Sequence, residues 1–294
     1  MTDWPAALVA ELAARRCVLV VGSGLSATST NATGLCPPTW SGLIKALATA
    51  ASTPEAKHRL DELIDAGNYP GAAEELRACA DRQSLALEFR RLLLDPKFEP
   101  SQAHRDLMSI DQNVVISLNY DKIYDNLCVS LAGDDYMVIS NNDAAAFARA
   151  IRGPARIILK MHGSVDDADS AVFSSSDYHS LRSAREQLFK VLNALFLTRT
   201  VLFIGCGFNG DPDVEYILTE SGLAVKDGFP HYALIPDTKE DTTAFEAART
   251  KGLNISYIKY PAPLLATGGR DHSAFAQMLA DLKNSVLSQR EVDV

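Results

Sequence analysis

The sequence predicts an α/β fold, a parallel sheet with helices on both faces and a helical insertion after the first βα unit, on three observations. Its apolar runs are short and continuous, as in Cys17 to Val21, Val114 to Leu118, Arg156 to Leu159 and Val201 to Ile204. Strands that are apolar on both faces belong inside parallel sheets, where helices cover each side. These runs alternate with helical stretches, the rhythm of βαβ units. From Pro54 to about Leu94 that rhythm stops, and Ala, Leu, Glu and Arg recur at helical spacing without a strand.

Taken in order, the first helix is read over Asp3 to Ala14. Thr2 or Asp3 can cap it, Pro5 fits its first turn, and Leu8, Val9 and Leu12 share one face. It feeds a strand from Cys17 to Val21. A loop rich in Ser, Thr, Asn and Gly runs from Gly22 to Thr39, after which Ser41 is expected to cap a helix reaching Ala51. Three helices are expected between 54 and 94, broken near Gly67-Asn68 and Asp81. Strands resume at Val114 to Leu118, followed by a helix from Asp121 to Leu131 and a short strand from Tyr136 to Ile139. Further strands are read at Arg156 to Lys160, Val201 to Ile204, His231 to Ile235 and Ile255 to Ile258. Helices near Asp177 to Leu197, Asp211 to Ser221, Glu240 to Lys251 and Ser273 to Leu287 separate or follow them.

With 294 residues, 47% of them hydrophobic, the chain can bury the core of one large α/β domain carrying an insertion. Its 28 basic and 37 acidic residues leave a net charge of -9, so no general attraction to nucleic-acid phosphates or an anionic membrane is expected. The five cysteines, Cys17, Cys36, Cys79, Cys128 and Cys206, are odd in number and never spaced as C-x-x-C. That pattern points to reduced thiols in the cytoplasm and away from a structural metal. The N-terminus lacks the basic region and apolar core of a secretory signal. No run approaches the roughly 18 apolar residues of a membrane helix.

Four strand ends carry loaded sequences: Gly22-Ser23-Gly24-Leu25-Ser26, Asn119-Tyr120-Asp121, Lys160-Met161-His162-Gly163-Ser164 and Gly205-Cys206-Gly207-Phe208. In a parallel sheet such loops gather at one edge, the usual place of a nucleotide site. Gly22-Ser23-Gly24 is either a tight turn or a phosphate approach, with Ser23 and Ser26 adding hydroxyl donors. It lacks the third glycine of the dinucleotide fingerprint, and no Walker lysine is present, which argues against a nucleoside triphosphatase. Asp121 can cap the following helix or serve the site; both readings stand. Asn119 can orient a ribose hydroxyl or a water through its amide. His162 can accept a proton near neutral pH. Together they suggest chemistry on a sugar carbon.

These four segments, with Pro38-Thr39-Trp40, Ser117-Leu118, Asp211-Pro212 and His231-Tyr232-Ala233-Leu234-Ile235-Pro236, resemble the sirtuin-like family of bacterial antiphage NAD hydrolases over nearly the whole chain. That family usually has alanine where this chain has Ser23, and a threonine-rich approach to the asparagine where Ser117-Leu118 stands. The resemblance implies a Rossmann-like domain over residues 1–294, with a helical insertion at about 40–106 as lid or assembly surface and NAD across the strand ends. It implies Asn119 and His162 as the catalytic pair, Asp121 in the nicotinamide-ribose pocket, and Gly22, Ser23, Gly24 and Ser26 at the pyrophosphate. Gly205 and Gly207 would lie on the adenosine side. The four-cysteine zinc module of true sirtuins has no counterpart in the cysteine spacing, so no metal is expected.

The activity so implied is NAD cleavage at the nicotinamide-ribose bond to nicotinamide and ADP-ribose, depleting NAD during antiphage defence. Ser164, Asp166 or a main-chain group could orient His162. The rivals are a sirtuin-type protein deacylase and a non-catalytic module that binds NAD or ADP-ribose. Control is expected in trans, through a homo-oligomer or a regulator such as an ATPase or Argonaute-like protein.

Overall fold

The continuous apolar runs become the strands of a seven-stranded parallel sheet, and the central ones are buried on both faces. In the computed structural model, which describes residues 4–51, 53–167, 171–207, 230–239, 253–266 and 270–292 together with 242, 243 and 246, the strands are β1 (Cys17–Val21), β2 (Val114–Ser117), β3 (Tyr136–Ser140), β4 (Arg156–Lys160), β5 (Thr200–Ile204), β6 (His231–Pro236) and β7 (Ile255–Tyr260). Their order is β3-β4-β2-β1-β5-β6-β7. Every pairing is parallel, with Val20 opposite Ile116 on one side and Phe203 on the other. This is the expected α/β, Rossmann-like architecture. The edge strands β3 and β7 are only partly buried.

Alternate residues of each strand serve opposite cores. Cys17, Leu19 and Val21 face α1 (Ala6–Ala13), α7 (Gln102–Ile110), α8 (Ile123–Ala132) and α12 (Ser273–Val292), whereas Val18 and Val20 face α9 (Ala144–Ala150), α10 (Ser175–Ala184) and α11 (Glu186–Thr198). A third core belongs to the segment between β1 and β2. There α3 (Trp40–Leu47), α4 (Pro54–Asp65), α5 (Tyr69–Cys79) and α6 (Arg82–Leu93) pack on one another and on Tyr120, Val165 and Phe173, which sit at the carboxyl edge of the sheet. The helices therefore overhang the loops that follow the strands.

The punctuation of this segment is chemical. Thr39, Thr53, Asn68 and Asp81 each accept a backbone N–H of the following first turn, a cap worth about 1 kcal/mol apiece. Gly67, at φ 71°, turns the chain out of α4. Thr39 thus replaces Ser41 as the cap of α3, because Pro37-Pro38 keeps the chain extended up to it. Other boundaries also differ from expectation. Pro5 precedes α1 as its cap residue rather than lying in its first turn. The loop after β1 begins with a one-turn helix, α2 (Ser23–Ser26). The expected helix from Asp177 to Leu197 is two, divided at Arg185. Those expected near Asp211 to Ser221 and Glu240 to Lys251 lie outside the described residues, apart from 242, 243 and 246.

The sequence reading missed α7, because part of its buried face is polar. Asp106 is held there by Lys283 at 2.7 Å, and His104 is fully buried. Burial lowers His104 to about 4, against a pull upward from the Asp121 carboxylate, and lowers His231 to about 4 as well. His231 Nδ1 accepts the Val201 N–H at 3.3 Å, so this imidazole is held neutral. The unfolded chain binds protons that the folded one refuses between these values and 6.5. Stability is therefore full above about pH 6.5 and is lost as pH falls towards 4, by on the order of 3 kcal/mol for each histidine. Urea melts at pH 7.5, 6 and 5 are expected to show a falling midpoint, and His231→Gln a shallower fall.

Candidate active site

Four neighbouring strands, β4, β2, β1 and β5, end on one cleft of about 610 Å³, counting its open mouth. Gly22 and Ser23 reach it from β1, Leu118 to Asp121 from β2, His162 from β4, and Cys206 and Gly207 from β5. Trp40, Leu43 and Leu93 close it from the overhanging helices, and Tyr178 from α10. Among the described residues lining it none is Lys or Arg, and Asp121 is the one acid.

Asn119 is the best-determined group. Its Nδ2 donates to Gly22 O at 3.0 Å and to Ser26 Oγ at 2.9 Å, and the Ser26 hydroxyl donates in turn to Asp121 Oδ2 at 2.7 Å. Asp121 Oδ1 accepts the Ile123 N–H at the start of α8. Proton counting fixes the amide: the Ser26 proton goes to Asp121, so Ser26 Oγ can only accept here, and the Gly22 carbonyl accepts a second bond besides the Leu25 N–H. Both amide protons are spent inward. The amide oxygen of Asn119 is left for the cleft. Asp121 does both things left open above, since it helps start α8 and anchors Asn119 through Ser26.

His162 is 3% exposed, and its ring meets Tyr178 edge-on with centroids 5.3 Å apart. Its carbonyl accepts the Val172 N–H at 3.0 Å, which ties the β4 end to the segment leading into α10. The two side chains named as candidates to orient it have contacts of their own. Asp166 pairs with Lys122 at 2.5 Å, and Ser164 Oγ accepts the Asp166 N–H.

The glycine turn reads differently from the sequence. The N–H groups of Gly22, Gly24 and Leu25 are bonded to Ile204 O, Gly205 O and Gly22 O at 2.9–3.0 Å. These three are therefore paired within the fold. A Cβ on Gly22 would lie 2.6 Å from Gly205 O, one on Gly24 2.9 Å from Gly205 Cα, and one on Gly205, at φ 65°, 2.4 Å from Leu25 N. These glycines let two strand-end loops touch backbone to backbone. Ser26, 2% exposed, donates to Asp121 and accepts from Asn119. Ser23 keeps a place at the cleft: its Oγ accepts the Trp40 N–H at 3.3 Å, which frees its proton to point elsewhere. Among the described residues nothing lies within 4 Å of where a Cβ on Gly207 would stand.

Sequence reasoning also missed a buried ion pair directly beneath the site. Lys160 Nζ lies 2.8 Å from Asp125 Oδ2, with both side chains under 5% exposed, and donates to Asp121 O at 2.5 Å. Burial pushes the Asp125 carboxyl up, while the Lys160 ammonium draws it back down. The available signal was a lysine closing an otherwise apolar strand. Cys17 and Cys128 are buried thiols pushed up by that burial, Cys128 to about 12. Among the described residues no group of three or more His, Cys, Asp or Glu is arranged to hold a metal ion.

Residues 113–258 match the SIR2-like domain model. The chain is 30% identical, over 47% of its length, to an NAD(+) hydrolase ThsA of Enterococcus faecium, and 29% identical over 45% to one of Cytobacillus dafuensis. It is 26% identical over 43% to Defense-associated sirtuin 2 of Bacillus subtilis. It covers 29%, 26% and 12% of those relatives, less than a third of each. A solved structure described as the structural basis for the mechanism and regulation of Sir2 enzymes aligns over 97% of both chains, at 13% identity and a TM-score of 0.49. No helix among the described residues is long and apolar enough to cross a membrane.

Proposed function

We propose that this chain, which belongs to the SIR2-like family, hydrolyses NAD at the nicotinamide-ribose bond, releasing nicotinamide and ADP-ribose in antiviral defence. The observation that carries the reading is the outward amide oxygen of Asn119 in the same cleft as His162. The names of the relatives point the same way, as NAD(+) hydrolases and a defence-associated sirtuin.

In this mechanism the bond from the ribose carbon to the pyridinium nitrogen breaks, and its electron pair leaves with nicotinamide. The ribose becomes oxocarbenium-like and cationic. A cleft lined by an Asp and an outward amide dipole, with no Lys or Arg among its described lining residues, suits such a charge. Asn119 Oδ1 accepts from the ribose hydroxyl or the attacking water, and His162 takes the proton the water loses as its oxygen bonds to carbon. Proton transfer of this kind contributes about 10²–10⁴-fold. The remaining part comes from holding the reacting atoms together in a site roofed by Trp40, Leu43 and Leu93. The helices over 40–93 then act as a lid, and Ser23 is the side chain placed to meet the pyrophosphate.

Incubation of pure protein with NAD, with products separated by chromatography, tests this. Equal nicotinamide and ADP-ribose, unaffected by an acetylated peptide, is the expected result. Nicotinamide release that requires the peptide would replace hydrolysis with deacylation. Binding without release would leave a nucleotide-sensing module.

A further inference from the structure

We propose that Lys160 is a positioning residue, which sets the separation of Asn119 and His162 by clamping their two loops together from below; this rests on the NAD-hydrolase reading. Lys160 ends β4 two residues before His162, yet its side chain turns under the neighbouring β2 loop. There its ammonium donates to the carbonyl of Asp121 at 2.5 Å and pairs with Asp125 at 2.8 Å, in the first turn of α8. One side chain thus grips the Asn119-Tyr120-Asp121 loop at its end and the helix that continues it.

The backbone of Lys160 is held as firmly. Its carbonyl accepts the N–H groups of Asn141 and Gly163, both at 3.2 Å, and Asn141 Nδ2 donates to Met161 O at 2.8 Å. The β4 end is therefore fixed from the β3 side by Asn141 and from the β2 side by its own lysine. Gly163 at φ 83° then turns the chain away, with His162 lining the cleft. The peptide units that carry His162 are bonded as well, Met161 N–H to Ser117 O and His162 O to the Val172 N–H.

A merely structural reading would make this pair one more buried contact. Two facts oppose it. An ion pair at 3–4% side-chain exposure carries a desolvation cost that an apolar pair of the same volume avoids, so stability alone gives little reason for it. The ammonium also does what no apolar side chain can, since it satisfies a carbonyl of the site loop while neutralising a carboxylate. A shift of about 1 Å between groups that must meet one substrate costs up to about 100-fold in rate.

The test compares full-length wild type with Lys160→Met, Asp125→Asn and the double variant Lys160→Met/Asp125→Leu, which replaces the pair by apolar volume. Thermal melts, NAD kinetics and hydrogen exchange of residues 118–123 and 160–165 are recorded for each. Lys160→Met is expected to melt lower and to lose at least about 10-fold in kcat, with KM within about threefold. The double variant is expected to recover most of the melting temperature but not kcat, with exchange faster in those two segments and unchanged in β1 and β5. Recovery of both stability and kcat in the double variant would overturn the proposal, as would unchanged exchange. If Lys160→Met does not fold, the double variant and Asp125→Asn decide alone. If wild type releases no nicotinamide, the hydrolase reading fails while the exchange comparison still judges the clamp.

Discussion

His162→Ala is expected to fold, to bind NAD by calorimetry and to release nicotinamide at least about two orders of magnitude more slowly than wild type, the scale of a lost acid-base group. The ring lies at the end of β4 against the edge of Tyr178, so its removal takes away a cleft wall rather than a strand of the core. A folded variant with the wild-type rate would remove His162 from the mechanism. Asn119→Ala should lose as much rate, but less cleanly. Its amide donates to both Gly22 O and Ser26 Oγ; Gly22 O keeps the Leu25 N–H, but leaving the buried Ser26 Oγ without its donor costs about 1–3 kcal/mol. Activity loss in that variant must therefore be compared at a temperature where its melt shows it folded.

The second large effect is on the fold. Gly205→Ala asks an L residue to hold φ 65° with its Cβ 2.4 Å from the backbone nitrogen of Leu25. The conformation alone costs of order 1–3 kcal/mol, and the clash is with backbone, which cannot rotate away. A loss of about 3 kcal/mol or more is expected, since relief requires the β1 and β5 loops to part. Gly207→Ala, where a Cβ meets nothing within 4 Å among the described residues, is the control and should melt close to wild type. Equal melting of the two variants would show that the contact between the loops is not needed.

The strands were legible because a strand buried on both faces admits no polar residue, so each central one is written as an unbroken apolar run between polar ends. Helices α4 to α6 were legible for a local reason too: Pro54, Asn68 and Asp81 mark starts, and Gly67 marks an end, through the backbone of their own turn. Helix α7 was not, since its buried face includes the polar His104 and Asp106, and the lysine that neutralises Asp106 comes from 177 positions away. For the site, Asn119 and His162 stood out as polar side chains placed just past apolar runs. Gly22, Gly24 and Gly205 stood out as well, but their close approach to one another did not, because a glycine needed for phosphate and a glycine needed for another backbone look alike in one dimension.

The sequence by itself determined the α/β class and the loops that carry the polar residues, because hydrophobic periodicity and capping act over a few residues of chain. Only the tertiary structure decided the direction of the Asn119 amide, the employment of Ser26 and the pairing of Lys160 with Asp125. Ser26 meets Asp121 across 95 positions and Gly24 meets Gly205 across 181. Such contacts follow from β1 lying between β2 and β5, and strand order is set by the packing of the whole sheet.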